Sequence, residues 1–374
     1  MAEPLINRYG AEIPRQIAAQ LSGVDSQFDC EGFIEAALEG YDQLALMDRG
    51  RHLAKVLHRF LPSDQEQAIQ WLVASMGPRL ERDQGNSMAP FLYLPHSFYL
   101  AHYGLDHFEA SMQAQYQLTQ RFTAEFSIRP FLERYPEATL ERLHQWAEDN
   151  DHHVRRLVSE GTRPRLPWAP RLKSFQKDPQ PVLALLEKLK DDPELYVRRS
   201  VANNLNDIGK DHPDVLLDCV ARWSARASEA RRWIIRHALR SLVKQGHPQA
   251  LALLGYGEAP SIKVEAARLT PEQVQMGDKV PPPCVNLSLV LHNPTPQAQE
   301  LLVDFCVHYV KANGSTAPKV FKLKTLTLDA GASLPLSKRI SLAEMTTRRH
   351  YPGTHRVELL INGQTYPLGA FELL

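Results

Sequence analysis

The chain has 374 residues, with 43 Lys plus Arg balanced by 43 Asp plus Glu, and its hydrophobic fraction is 43%. That length exceeds one ordinary core and predicts two or three structural units, while the full spread of residue types excludes a disordered chain. No apolar run approaches the roughly 20 residues a membrane helix needs, and nothing near the N-terminus predicts a secretion signal. Cys30, Cys219, Cys284 and Cys306 form no CxxC pair, so neither a disulfide framework nor a zinc cage is expected, and a reducing cytoplasm is the simplest location. The zero net charge conceals local basic runs: Arg163, Arg165, Arg171, Lys173 and Lys177 occur without an intervening carboxylate, and Arg231, Arg232, Arg236 and Arg240 follow on one helical segment. Local fields steer ligands, so overall neutrality does not exclude nucleic acid.

Residues 12 to about 254 read as helix after helix. Leu46, Leu53, Leu57 and Phe60 fall near helical spacing, Leu61-Pro62 stops that helix, and Ser63 offers the next N-cap. Pro136-Glu137-Ala138-Thr139 opens another, and Asp178-Pro179 and Asp192-Pro193 punctuate others. An internal repeat shows by overlay: His153-Val154-Arg155-Arg156-Leu157-Val158 matches Tyr196-Val197-Arg198-Arg199-Ser200-Val201, and Trp233-Ile234-Ile235-Arg236-His237-Ala238 is a weaker third copy. The offsets of 43 and 37 residues suit HEAT-like helical pairs. Such pairs cannot bury their apolar faces alone, which predicts an α-solenoid whose concave face is lined by the second helices.

After Gly255-Tyr256-Gly257 the period changes from helical to two. Val285, Leu287, Leu289 and Leu291 alternate with Asn286, Ser288 and Val290, and Leu301, Val303, Phe305, Val307 and Tyr309 share one face while Asp304 and His308 take the other. Lys319 to Leu328 and Val357 to Ile361 are further strands, and Asn362-Gly363 is a hairpin turn. Short strands without intervening helices predict an immunoglobulin-like β-sandwich. The expected division is therefore a helical-repeat domain at 1–257 and a sandwich at 258–374.

No phosphate loop, HExxH motif or nucleophile elbow is present, and neither a metal nor a cofactor is expected. His152-His153 is adjacent, so its side chains diverge on a helix and make a poor metal pair. The informative strings lie between 123 and 213: Thr123-Ala124-Glu125-Phe126-Ser127-Ile128-Arg129-Pro130-Phe131, then Ser159 to Pro170 with Trp168 in a basic, proline-rich loop, then Asn203 to Pro213. Glu160 ends one repeat helix and Asp207 the next, which places two carboxylates near one edge of the solenoid. A carboxylate at a helix end is more often a solvated cap than a catalyst, a lone Trp more often a packing anchor, and Phe126 reads as core.

These three strings resemble the signature blocks of the AlkC family of bacterial alkylpurine DNA glycosylases, HEAT-like enzymes related to AlkD. Met1-Ala2-Glu3-Pro4-Leu5 and Met47-Asp48-Arg49-Gly50-Arg51-His52 resemble that family's N-terminal region, and a C-terminal sandwich is an AlkC feature that AlkD lacks. The resemblance implies that Glu125, Glu160 and Asp207 are the active-site carboxylates and that Trp168 packs beside the lesion, with Phe126 a further lesion contact. It implies substrates that are small cationic lesions, 3-methyladenine and 3-methylcytosine, excised from double-stranded DNA without drawing the base into a pocket. An N3-alkylated base is already a cationic leaving group, so neither a metal nor a protonating acid is required. Carboxylates beside the sugar would stabilise its oxocarbenium-like cation and orient water.

The phosphate contacts expected on this reading are Arg155, Arg156, Arg198 and Arg199 near helix N-termini, Arg163, Arg165 and Lys173 in the basic loop, and Lys210. Lys319, Lys322 and Lys324 offer a further basic strand in the sandwich. Inter-repeat salt bridges are the competing role for the arginines. The competing functions are a non-enzymatic HEAT scaffold and a binder of DNA structures, neither of which needs Glu160 or Asp207. A monomer, in the bacterial cytoplasm and at the nucleoid when acting on DNA, completes the expectation.

Overall fold

The computed structural model describes residues 4–81, 89–256, 260–276, 282–344 and 348–374. Gly257, where the sequence suggests a division, and Met1 to Glu3 of the opening motif lie outside these residues. Among the described residues, sixteen α-helices run between Glu12 and Leu253, and eight strands run between Lys263 and Leu373. The fold is therefore a mainly helical N-terminal region followed by an all-β region. Two compact units divide it by contacts: one holds the chain through Leu216 with Ala225–Ala238, the other Leu217–Ser224 with Leu239–Leu374.

In the first unit the repeat is a helical pair. Pro136–Trp146 precedes His152–Gly161, and Gln180–Leu189 precedes Leu195–Asp211. Asp151 starts the second helix of the first pair by accepting from the His153 backbone N–H at 2.8 Å. The second helices lie side by side, Leu195–Asp211 between His152–Gly161 and Glu229–Ala238. Val154, Leu157, Val158, Val197, Val201, Leu205, Ile234 and Ile235 bury their apolar stripes. Each second helix carries an arginine at its fourth residue whose guanidinium folds back onto the preceding loop. Arg155 donates to Asp149 and Asn150 carbonyls, Arg198 to Asp192 and Pro193 carbonyls, and Arg232 to the Ala227 carbonyl. Arg232, 34 residues after Arg198, is thus the third member of the series, which corrects the overlay at 37 that matched Arg198 with Ile235. Ser228 accepts from the Arg231 N–H at 3.1 Å and fixes where that helix begins, a constraint that hydrophobic matching ignores.

The strands are β1 (Lys263–Thr270), β2 (Gln273–Val274), β3 (Cys284–His292), β4 (Gln299–Val310), β5 (Thr316–Leu328), β6 (Ser333–Ser341), β7 (Gly353–Ile361) and β8 (Gln364–Leu373). They form a three-stranded sheet, β1-β3-β6, and a five-stranded sheet, β2-β8-β7-β4-β5. The alternation read from the sequence sets their inner faces: Val285, Leu287, Leu289 and Leu291 of β3 share a core with Leu301, Val303, Phe305, Val307 and Tyr309 of β4 and Val357, Leu359 and Ile361 of β7. Asn362 and Gly363 both take positive φ, +47° and +82°, the conformation a two-residue hairpin between β7 and β8 requires.

Candidate active site

Three carboxylates from two repeats and the segment before them meet in one arginine-bridged network. Glu125 lies just before the Ile128–Arg134 helix, where the Thr123 hydroxyl accepts its backbone N–H at 3.1 Å and donates to its Oε2 at 3.0 Å. Arg156 Nη1 reaches the same Oε2 at 2.6 Å, and its Nη2 lies 3.6 Å from Glu160 Oε1. Arg163 then bridges the two repeats: Nη1 donates to Glu160 Oε1 at 2.7 Å and Nε to Asp207 Oδ2 at 2.8 Å. Lys210 Nζ holds the other Asp207 oxygen at 2.8 Å, and the Ser200 hydroxyl donates to Glu160 Oε2 at 2.6 Å. Glu125, Glu160 and Asp207 are thereby connected through Arg156 and Arg163, an arrangement that spacing alone had suggested only for the last two.

Electrostatics favour the charged forms of Glu160, Arg156 and Arg163. Burial by itself pushes the Glu160 carboxyl up, but the charges of Arg156 and Arg163 and the hydrogen bonds from Ser200 and Arg163 together hold it below the usual glutamate range. Burial lowers Arg163 and Arg156 in turn, and their carboxylate partners outweigh it, so both guanidinium groups titrate above the ordinary arginine value. Asp207 is 1% exposed, and Lys210 is its solvent-facing partner.

A polar layer beneath the network fixes the two helices that carry it. Ser159 donates to Ser200 at 2.7 Å, and the Asn204 amide donates to the Ser159 carbonyl at 2.7 Å and to the Thr162 hydroxyl at 3.1 Å. Sequence reasoning missed Ser159, Ser200 and Asn204. The available signal was a serine at 200, where the overlay aligns it with the core residue Leu157. Arg129 lies in the Thr123–Phe131 string, where its residue type alone assigns it no role. It is buried, and its guanidinium donates to the Gly161, Arg163 and Pro170 carbonyls at 3.0, 2.8 and 2.6 Å. Burial lowers it to about 10. Arg129 therefore ties the end of the Glu160 helix to the loop bearing Trp168.

That loop presents Trp168 at 59% exposure with φ +64°, a left-handed conformation unusual for a bulky residue. Trp168 and Phe126 line one open cavity of about 510 Å³ together with Phe98, Arg51, His102 and Arg129. Phe126 is half-buried and stacks on Phe98 with ring centroids 6.3 Å apart, so it is available to a ligand in that cavity while also packing.

The predicted phosphate contacts separate into two groups. Arg155 makes a bidentate pair with Asp192 at 2.6 and 3.1 Å, Arg156 and Arg163 belong to the carboxylate network, Arg165 pairs with Asp211, and Arg198 faces loop carbonyls. The inter-repeat salt bridge weighed as their competing role describes Arg155 and Arg163. Lys173, Arg199 and Lys210 are exposed, as are Lys319, Lys322 and Lys324 on β5.

Residues 119–242 match the family described as DNA alkylation repair enzyme, and residues 263–374 match the C-terminal Ig-like domain of the uncharacterised protein YhaZ. YhaZ of Bacillus subtilis (strain 168) is 35% identical over 357 residues, 95% of each chain. The Pseudomonas fluorescens alkylpurine DNA glycosylase AlkC, solved bound to DNA containing an abasic site analog, is 40% identical over 100% of both chains with a TM-score of 0.91. No described helix is long and apolar enough to cross a membrane. With that identity and that superposition spanning helices and sandwich alike, the chain belongs to the AlkC family of DNA glycosylases.

Proposed function

We propose that this chain excises cationic alkylated bases, 3-methyladenine and 3-methylcytosine, from double-stranded DNA by hydrolysing the N-glycosidic bond while the base stays close to the duplex. The observation that carries the reading is the network itself: Glu125, Glu160 and Asp207 held by Arg156 and Arg163 beside the Trp168 loop. A scaffold has no use for three nearly buried carboxylates in a single arginine-bridged cluster, because taking a charge out of water costs on the order of several kcal/mol per ion before pairing offsets it.

In the reaction, the bond to the cationic base lengthens and positive charge moves onto the deoxyribose. Fixed carboxylates stabilise that charge without reorganising, because the arginines have already set their positions. Glu160 and Asp207 act as the main cation stabilisers and water positioners, with Glu125 in support. Lys210 is exposed and occupies Asp207 Oδ1. A DNA phosphate that drew Lys210 away would free this oxygen for the sugar or the water. Trp168, with Phe126 beside it, lies against the lesion nucleotide, where a cation–π contact is worth about 1–2 kcal/mol when desolvated. Lys173 and Arg199 grip phosphates without reading sequence. The chemistry belongs to the helical part, 1–257 in this division, with 258–374 as the sandwich, and bacterial cytoplasm and nucleoid as the setting.

The test is release of free base from duplex DNA carrying 3-methyladenine or 3-methylcytosine, by wild type, Glu160→Gln and Asp207→Asn. Release by wild type and a loss of at least about a hundredfold in each variant are expected. No release by folded wild type would sink the function. Full release by both variants would keep the function and reject the assignment of residues.

A further inference from the structure

The face of the five-stranded sheet opposite the sandwich core carries a second group of chemistry-bearing side chains. Cys306 and His308 lie two residues apart on β4 and alternate with the core residues Phe305, Val307 and Tyr309. Glu358 of β7 is the direct cross-strand partner of Cys306. His308 Nε2 stands 2.7 Å from Glu358 Oε2 and 3.8 Å from Cys306 Sγ, and the three donor atoms all fall within 4.8 Å of one another.

A thiol, an imidazole and a carboxylate in contact suggest either a proton relay or a ligand set, and the geometry separates the two. A relay needs the imidazole to face its two partners with two different nitrogens. Here Nε2 faces both, so the three donors converge on one point as metal ligands do. Arg356 Nε lies 3.4 Å from Glu358 Oε1, which leaves Oε2 turned toward His308. Cys306 is buried, whereas His308 and Glu358 are partly exposed and offer a path for entry.

We propose that Cys306, His308 and Glu358 bind a thiophilic divalent cation, zinc by preference, with water in the fourth position. One thiolate, one imidazole and one carboxylate match the borderline-soft donor preference of zinc and exclude magnesium or calcium, which take oxygen ligands. The expectation of no metal site follows from the lack of CxxC and HExxH spacing and from the divergence of His152 and His153. This ligand set instead joins an i, i+2 pair on one strand to a residue fifty positions away on its neighbour, a spacing only sheet register creates.

Cobalt(II) titration of the metal-free full chain tests the site without reference to base excision. The expected result is one equivalent bound, with thiolate-to-cobalt charge-transfer absorption that zinc abolishes by displacement. Cys306→Ser should remove that absorption, and Glu358→Gln should weaken binding by at least about tenfold. Zinc should raise the melting temperature of wild type and leave that of Cys306→Ser unchanged. If Cys306→Ser does not fold, the double variant His308→Gln/Glu358→Gln takes its place, with loss of the charge-transfer band again expected. A folded wild type with no charge-transfer band, or a band that survives these substitutions, overturns the proposal.

Discussion

Arg163 joins Glu160 to Asp207 with one guanidinium group, so removing it takes the bridging partner from two nearly buried carboxylates at once. Arg163→Met should cost about 3–5 kcal/mol in a denaturant melt. A cost under about 1 kcal/mol would mean that solvent already screens the pair. Glu160 gives a pH signature. Its folded pKa is depressed, so its contribution to stability is full above the ordinary glutamate value of about 4.3 and is lost as pH falls through the lower folded value. Wild type should therefore lose melting temperature more steeply than Glu160→Gln between about pH 5 and pH 2, and parallel curves would refute the depression. Trp168 makes the opposite case. Its left-handed backbone is strained and its ring mostly exposed, so Trp168→Gly should leave stability equal or higher by up to about 1 kcal/mol while base release falls. A large fall in melting temperature would show that the ring is a packing anchor. At this scale the resemblance supplied the three carboxylates and Trp168 as candidates, and folding brings the carboxylates into one network. The roles of Arg163 and Arg129 were not legible, because an arginine in a basic loop looks the same whether it faces phosphate or a carboxylate.

At the scale of elements, the site depends on how the end of the His152–Gly161 helix meets the Ile128–Arg134 helix. A Cβ added at Gly161 would stand 2.6 Å from Ile128 Cγ2, a branched and buried atom with little room to yield. Gly161→Ala should cost about 1–3 kcal/mol by overpacking. Because Glu160 is the adjacent residue, base release should fall by more than about tenfold as well. Unchanged release with lowered stability would show that the helix end moves as a rigid piece. The helices themselves were largely readable, since apolar spacing, prolines and caps are local signals. The register of the third repeat was not: the Trp233-Ile234-Ile235 run attracted the overlay, whereas the Ser228 cap set the helix start. The sandwich strands read well because alternation is imposed by the pleat on each strand separately.

For the whole molecule, the zero net charge leaves attraction to DNA to local, exposed cations rather than to a global field. Lys173, Arg199 and Lys210 are the exposed members of the predicted set within the helical region. Replacing all three by alanine should lower the slope of log affinity against log salt by about 2 to 3, as each lost phosphate contact removes about 0.9. An unchanged slope would move the phosphate grip elsewhere, the lysines of β5 being the next candidates. What depends on neighbours along the chain is readable before folding: helical pairs in repeat, the change to period two, the alternating faces of the sandwich, and the motifs that resemble AlkC. Tertiary structure decided which charges are free and which are spent on each other. Glu160 and Asp207 come from helices 43 residues apart in the repeat, and Cys306 and Glu358 from strands paired only by register. Whether a charged side chain meets water, a phosphate or an opposite charge is fixed by what folding brings beside it, and no local pattern encodes that.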